Sequence, residues 1–427
     1  MIKRSFLGFS KSHLAYDKIM GPPVVPEPVP VPNQAVYIVK GPAGEAEPAG
    51  LTPGLRVKTG QKLALAGDSG AYALSSVTGK IASVTGYSGD FGDAWTRIVI
   101  DVADEEQTDD GFAADGGDID LAVAVNYFQP LPGAPALSSL TDSDRPIHTI
   151  IVNGVDKDLL STTAMHTATS DIDAVTKGIG VLKKISGVDH IILTVQRDAI
   201  PGYGHIGAEA KPVDAVYPAG FPISIMRDVL GLAVPNGKTP EDLGVCFISV
   251  EGVASIGRAV ENGQLPCDKI MTLVDRDGSR RLVSARVGTP IGDVFKTFGI
   301  SVKEKDQIIL GGPMTGQAIF SETHPVQPDT DMIIVQDGAD IPMASGYPCT
   351  NCGDCVRVCP VNVPVNMLVR FLEAGEYEEA ADAYDLYSCI DCGLCTYVCI
   401  AKIPIFQYIK LAKYELDRIN TAEAANE

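Results

Sequence analysis

The residues best able to do chemistry in this chain are its ten cysteines, eight of which fall into two evenly spaced runs. Cys349, Cys352, Cys355 and Cys359 follow C-x2-C-x2-C-x3-C with Pro360 next, and Cys389, Cys392, Cys395 and Cys399 repeat the spacing without an immediate proline. Three close thiolates on a tight loop can wrap one corner of a four-iron, four-sulfide cubane while the fourth reaches away. That chemistry needs soft anionic sulfur and a backbone whose amides can point at the sulfides. Gly353 and Gly393 stand between the second and third cysteine of each run, where small residues let the backbone close around iron. Structural zinc is the alternative, because four-cysteine zinc sites also use C-x2-C pairs. Zinc needs only two such pairs, however, and each run here has a third cysteine at x2 and a fourth at x3. The spacing therefore predicts two [4Fe–4S] clusters and an electron-transfer role.

Other candidate groups carry less. Cys246 lies in the apolar run VCFISV and reads as a buried small hydrophobe. Cys267 follows Pro266 in a turn-like stretch and receives no role. The GGPMTG stretch at 311–316 lacks the Lys-Ser/Thr of a phosphate loop and the spacing of a dinucleotide fingerprint, so it reads as a turn.

Several elements must position the cysteine runs. The 427 residues suffice for two to four domains, and an apolar fraction of 45% predicts a mostly globular chain. Lys and Arg total 34 against 54 acids, a net charge of −20, which argues against nucleic acid and against docking on anionic lipid. No run approaches the roughly 20 apolar residues of a membrane helix. The stretch 1–18, with Lys3, Arg4 and Lys11, has its apolar positions interrupted and does not read as a signal core. The proline-rich segment 21–32 reads as an extended arm or linker. Short β-type runs between 35 and 102 (VYIVK, RVKTG, KLALAG, KIASV, RIVIDV) resemble the two halves of a barrel-sandwich, lipoyl-like module. Its turns are expected to need Gly60 and Gly79 at positive φ. No lysine stands at a hairpin tip as a lipoylated one would, so the module reads as structural. An acidic, glycine-rich boundary at 104–120 precedes alternating strand and helix patterns from 147 to 270, which predict a mainly parallel sheet. Within that stretch, Ser170 or Asp171 should cap the helix that ends at Gly187. Residues 271–316 resemble a small β-grasp module of the soluble-ligand-binding type. Between the cysteine runs, NMLVRFLEAGEYEEAADAYDLYS has helical spacing split by Gly375, and a last helix over 404–419 should pack beside the clusters.

The cysteine runs resemble those of two-cluster ferredoxins, and the order of modules resembles the C subunit of the Rnf ion-translocating electron-transport complex. The signals are both runs, IIVNG at 150–154, RVGTPIGDV at 286–294 and LGGPMTG at 310–316. The resemblance covers about residues 22–415 and implies a multidomain α/β architecture, here divided as 1–34 arm, 35–103 barrel-sandwich module, 104–146 acidic and Pro-rich linker, 147–270 complex I flavoprotein-like α/β domain, 271–340 β-grasp (SLBB-type) module and 341–427 α-helical two-cluster [4Fe–4S] ferredoxin-like domain. By the ferredoxin rule the fourth cysteine of each run serves the other cluster. One cluster would take Cys349, Cys352, Cys355 and Cys399, and the other Cys389, Cys392, Cys395 and Cys359.

The resemblance implies a translocase subunit that relays electrons through two clusters. It would lie peripherally on the cytoplasmic side of the inner membrane, with the other subunits of a membrane Rnf-type complex and a ferredoxin or cytochrome as partners. The family relays electrons from NADH through FMN, and here the chain departs from it. In place of a G-G-x-G-F-P flavin loop it has QPLPGAPALSSL at 129–140, in place of N-G-A-E-C-E-P it has Asn153-Gly154-Val155-Asp156-Lys157-Asp158-Leu159, and in place of Q-G-G-E-K it has Ala219-Gly220-Phe221-Pro222. Neither FMN nor NADH is expected to bind, nor is an NADH dehydrogenase activity of the chain's own. Asp156 and Asp158 read either as ribose or ring contacts or as exposed acids in a turn. The competing readings are an FMN-dependent NADH:acceptor oxidoreductase with an atypical nucleotide site, and a cluster-bearing adaptor such as a cobalamin reductase in a microcompartment.

Overall fold

The computed structural model describes residues 14–17, 24–41, 51–65, 72–89, 94–112, 119–204 and 206–424. The expectations for 1–13, for the start of the proline-rich segment at 21–23 and for 113–118 of the acidic stretch lie outside the described residues.

Gln34–Lys40, Ala94–Val102, Gly79–Ser88 and Arg56–Val57 form an antiparallel sheet in that order, beside a hairpin of Lys62–Ala64 and Tyr72–Leu74. Alternating Val, Ile and Tyr side chains place Ala35, Tyr37, Ile81, Ile98 and Ile100 in one core. Gly60 has the expected positive φ, at 87°. Gly79 does not: it lies inside a strand, and it must be glycine because a Cβ there would meet the Asp101 carbonyl oxygen at 2.1 Å.

The second sheet is parallel throughout, in the order Glu209–Val213, Ile191–Gln196, Thr149–Asn153, Val245–Ser249. Its two central strands are near-continuous Ile, Val and Leu runs because both faces are covered. The helices Ile172–Ser186 and Val250–Asn262 cross closely at glycine, where a Cβ on Gly178 would strike Val253 and one on Gly257 would strike Ala174. Gly187 ends the first helix at φ 69°, while Asp171 does not cap it through its side chain and instead pairs with Arg258 at 2.5 Å. The stretch expected as a linker at 104–146 is largely part of this layer. It holds the helix Leu121–Phe128, capped by Asp120, and its Phe112, Phe128, Leu131 and Leu137 enter the same core as Ile150 and Val152. The Pro and Gly composition masked these apolar anchors.

The third sheet runs Glu27–Pro28, Arg280–Arg286, Asp268–Val274, Met332–Gln336, Gln307–Leu310, Gln317–Ile319, with the helix Ile291–Phe298 against it. The proline-rich segment is thus an arm, since Glu27 and Pro28 pair in parallel with Val283 and Ser284. Beneath the junction with the parallel sheet, Lys269 is fully buried between Glu251, Asp331 at 3.0 Å and its neighbour's Ile270 carbonyl at 2.7 Å. The C-terminal region is helical: Asp354–Val358, Val365–Ala374, Tyr377–Ala383, Leu394–Val398 and Ile405–Ala424, with Gly375 at φ 79° separating the second and third.

Candidate iron–sulfur site

Two copies of one local design carry the cysteines. In the first, Asn351 at φ 55° and Gly353 at φ 76° turn the chain into the short helix Asp354–Val358, and Asn362 at φ 60° turns it again before Val365–Ala374. In the second, Asp391 at φ 55°, Gly393 at φ 72°, Leu394–Val398 and Lys402 at φ 57° do the same, each residue 40 positions on, as Cys389 is from Cys349. Left-handed residues cost little in Gly, Asn or Asp, which explains the residue types at the first two turns. They aim amides inward: Asn351 N–H donates to Cys349 Sγ at 3.4 Å, and the amides of Val356, Leu394 and Thr396 point at the thiols of Cys355, Cys392 and Cys395.

Cys349, Cys352 and Cys355 line one cavity together with Cys399 of the other run, walled by Val369, Ile403 and Ile405. Cys359 in turn stands near enough to Cys392 for the two thiols to interact electrostatically. Cys399 of the second run thus shares a void with the first three cysteines of the first. The first set is the more open, with Cys352 exposed and Cys349 and Cys399 half-buried. In the second, Cys359, Cys392 and Cys395 are buried and only Cys389 is half-buried.

Burial pushes the thiols of Cys355 and Cys392 up to about 11 and that of Cys389 to about 12, and it raises that of Cys395 as well. Free thiols here stay protonated, and iron must displace those protons on binding. Among the described residues no three His, Cys, Asp or Glu side chains converge as ligands of a single ion. Four thiols around an apolar-walled void, with amides directed at sulfur, suit a multi-iron cluster, so the donor set fits iron–sulfur chemistry.

Other elements hold the second run in place. Leu394, Val398 and Cys392 share a core with Ile151, Val155 and Tyr217 of the α/β layer. Gly393 lies against the 311–316 turn, where a Cβ would meet the Met314 carbonyl oxygen at 2.4 Å. Lys413 donates to the Cys389 carbonyl at 2.8 Å and to Asp391 at 2.9 Å. None of these supports was legible from cysteine spacing. The recurrence of Asn or Asp two residues after the first cysteine of each run was the available signal for the inward amides.

The residues of the altered nucleotide loops are engaged internally. Asp156 is buried, and its carboxylate accepts from Ser161 Oγ at 2.7 Å and from the amides of Ala164 at 2.9 Å and Met165 at 3.3 Å, capping Thr163–Ser170. Its pKa is raised to about 6 by that burial. Asp158 is also buried and accepts from Thr315 N at 2.8 Å, Thr315 Oγ1 at 2.7 Å and Met314 N at 3.2 Å, so the 311–316 turn binds a carboxylate from within the chain. Neither acid is the exposed turn residue that one reading expected. In the segment 129–140 the Pro132 and Gly133 carbonyls accept from Ser255 Oγ at 2.8 Å and Ser249 Oγ at 2.5 Å. Gly133 abuts the start of Val250–Asn262, where a Cβ would meet Gly252 N at 2.2 Å. Gly133 packs against one side of that helix start, while Ser249, Val250 and Glu251 also line a small pocket with Asn153 and Lys157.

Residues 348–403 match the family model described as a 4Fe-4S dicluster domain. The chain is similar to C subunits of ion-translocating oxidoreductase complexes. It is 29% identical over 244 residues to the C subunit of the ion-translocating oxidoreductase complex of Rhodobacter capsulatus, covering 55% of this chain and 47% of that one. With the protein of the same name from Pseudomonas aeruginosa it shares 29% over 279 residues, 63% of this chain and 36% of the other. With the C subunit of the Na(+)-translocating ferredoxin:NAD(+) oxidoreductase complex of Acetobacterium woodii it shares 28% over 235 residues, 52% and 53% of the two chains. The chain spans about a third to a half of the length of the curated relatives it matches. Among solved structures, an NAD+-reducing [NiFe]-hydrogenase in its H2-reduced state aligns over 72% of this chain and 65% of that chain, at 14% identity and a TM-score of 0.47. No helix among the described residues is long and apolar enough to cross a membrane.

Proposed function

We propose that this chain is the electron-transfer C subunit of an Rnf-type ion-translocating oxidoreductase complex, acting as a two-cluster relay without a nucleotide of its own. The observation that carries the reading is the meeting of two repeated cysteine runs around adjoining thiol-lined sites. Cys349, Cys352, Cys355 and Cys399 would hold one [4Fe–4S] cluster, and Cys389, Cys392, Cys395 and Cys359 the other. Bound clusters supply one-electron carriers. The chain's part is to hold them close, to exclude water with Val369, Ile403 and Leu394, and to direct amides at sulfur so that their potentials are tuned.

In the finer reading, the antiparallel sheet with its hairpin is a barrel-sandwich module, the parallel layer a flavoprotein-like domain that has lost its cofactor, and the third sheet a β-grasp module of the soluble-ligand-binding type. The internal engagement of Asp156, Asp158 and the 129–140 segment supports the loss of FMN and NADH. The partners would be the other subunits of the complex and a ferredoxin or cytochrome, with the chain peripheral on the cytoplasmic face. Iron, sulfide and flavin analysis of anaerobically purified protein tests this, with about eight iron and eight sulfide expected and no flavin. Stoichiometric zinc would refute the relay. Retained FMN with NADH turnover of roughly 1 per second or more would restore the dehydrogenase reading.

A further inference from the structure

Open parallel sheets bind their ligands in the crevice outside the carboxyl ends of the strands. Those ends here are Asn153, Gln196, Val213 and Ser249, and over the first three of them lies a piece of the chain's own N-terminal region. Ala15 forms an antiparallel bridge with Val216, Tyr16 N–H donates to the Ala215 carbonyl at 3.1 Å, and Tyr217 N–H donates to that of Leu14 at 2.8 Å. Gln196 Nε2 donates to the Asp17 carbonyl at 3.2 Å, and the Asp17 carboxylate pairs with Arg280 at 2.5 Å.

The inserted side chain is Tyr16, which is 3% exposed although the first strand of the sheet begins only at Thr149. Its hydroxyl oxygen accepts from Gly220 N–H at 3.1 Å. Gly220 leaves no room for more, because a Cβ would meet the Asp156 carbonyl oxygen at 2.7 Å and the Tyr16 hydroxyl at 3.1 Å. The Tyr16 ring meets Tyr217 edge to face at 5.8 Å, and the Tyr217 hydroxyl donates to the carbonyl of Cys392 at 2.6 Å. Both rings share one core with Cys392, Leu394 and Val398. A continuous aromatic wall thus runs from the crevice to the second cysteine run.

We propose that residues 14–17 are a built-in ligand of the α/β layer. Tyr16 is seated against Gly220 beside the crevice, whose pocket between Asn153 and Ser249 it leaves free, and with Tyr217 it seals the α/β-layer side of the cluster held by Cys389, Cys392 and Cys395. The redox half of this inference rests on the relay reading; the occupancy half does not. Sealing that side leaves the corner at exposed Cys352 as the open approach to the cluster pair among the described residues.

The test compares full-length Tyr16→Phe and Tyr16→Ser with the parent chain. The first readout is amide hydrogen exchange at Gly220 and Tyr217, which needs no cluster. Tyr16→Phe removes only the acceptor of the Gly220 amide, so that amide should exchange about fivefold faster, the equivalent of a hydrogen bond worth about 1 kcal/mol. Tyr16→Ser also removes the ring, and exchange at both amides should rise tenfold or more over the parent, the equivalent of about 1.4 kcal/mol. The second readout is oxidation of each reduced cluster by ferricyanide, followed by paramagnetic resonance. The Cys389 cluster should react about tenfold faster in Tyr16→Ser and within about twofold of the parent in Tyr16→Phe, with the Cys349 cluster unchanged. Parent-like exchange at Gly220 in Tyr16→Phe overturns the occupancy, and equal acceleration of both clusters overturns the seal. If Tyr16→Ser does not fold, Tyr16→Phe still decides the occupancy. A parent chain without iron would refute the relay while leaving the exchange result to judge the arm.

Discussion

Replacing Cys359 by serine separates a crossed from an uncrossed ligand assignment. Cys359 belongs by sequence to the first run, but it stands by Cys392, whereas Cys399 lines the cavity of Cys349, Cys352 and Cys355. A serine hydroxyl is a hard, weakly acidic donor and a poor substitute for thiolate on iron. The backbone should survive the change, because the Cys359 amide bonds to the Val356 carbonyl at 3.3 Å independently of the side chain. The expected result is loss of one cluster, a fall from about eight to about four iron per chain. The remaining signal should be the one perturbed by Cys352→Ser, not by Cys392→Ser. Iron and sulfide analysis with low-temperature paramagnetic resonance of the three single variants reads this directly. Cys399→Ser should give the reciprocal pattern. If Cys359→Ser instead abolishes the signal that depends on Cys352 and spares the one that depends on Cys392, the geometric reasoning is wrong.

Other outcomes follow from contacts away from the clusters. Lys269→Met should destabilise the chain by about 3–5 kcal/mol in denaturant titration, because it strands Glu251 as a buried unpaired acid; a loss under about 1 kcal/mol would mean the trio is not coupled. Gly393→Ala should cost about 2–4 kcal/mol, combining left-handed strain at φ 72° with displacement of Met314, whereas Gly353→Ala, whose nearest neighbour is the flexible end of Arg357 at 3.3 Å, should cost only about 1–2 kcal/mol; equal costs would refute the close approach. Asp156, with its pKa raised to about 6 by burial, favours the fold most below its unfolded value of 3.8 and loses that contribution as pH rises through about 6. From about pH 5 to 7, parent stability should therefore fall relative to Asp156→Asn by about 1 kcal/mol in paired unfolding curves, and parallel pH profiles would refute the shift.

Sequence by itself determined the cofactor chemistry. The spacing of eight cysteines, with glycine before each short helix, specifies soft ligands on tight loops wherever those loops lie. Local patterns also sufficed for the alternating strands and helices of 147–270, because hydrophobic period and capping are properties of neighbours in the chain. They were insufficient at 104–146, where the few apolar side chains among Pro, Gly and acids, Phe128 and Leu131 above all, matter only once a sheet exists to receive them. Spacing alone did not say which cysteines share a void; the ferredoxin resemblance implied that Cys399 joins Cys349, and it reaches that cavity only because the two repeated loops pack against each other. It also decided the fate of Asp156 and Asp158, whose partners, the start of a helix and a turn more than 150 residues away, turn two apparently free acids into internal ties. The burial of Tyr16 has the same cause. A lone tyrosine in a polar stretch carries no periodic signal, and its place is set by backbone bonds to 214–220 and by an aromatic partner that only the folded sheet brings within reach.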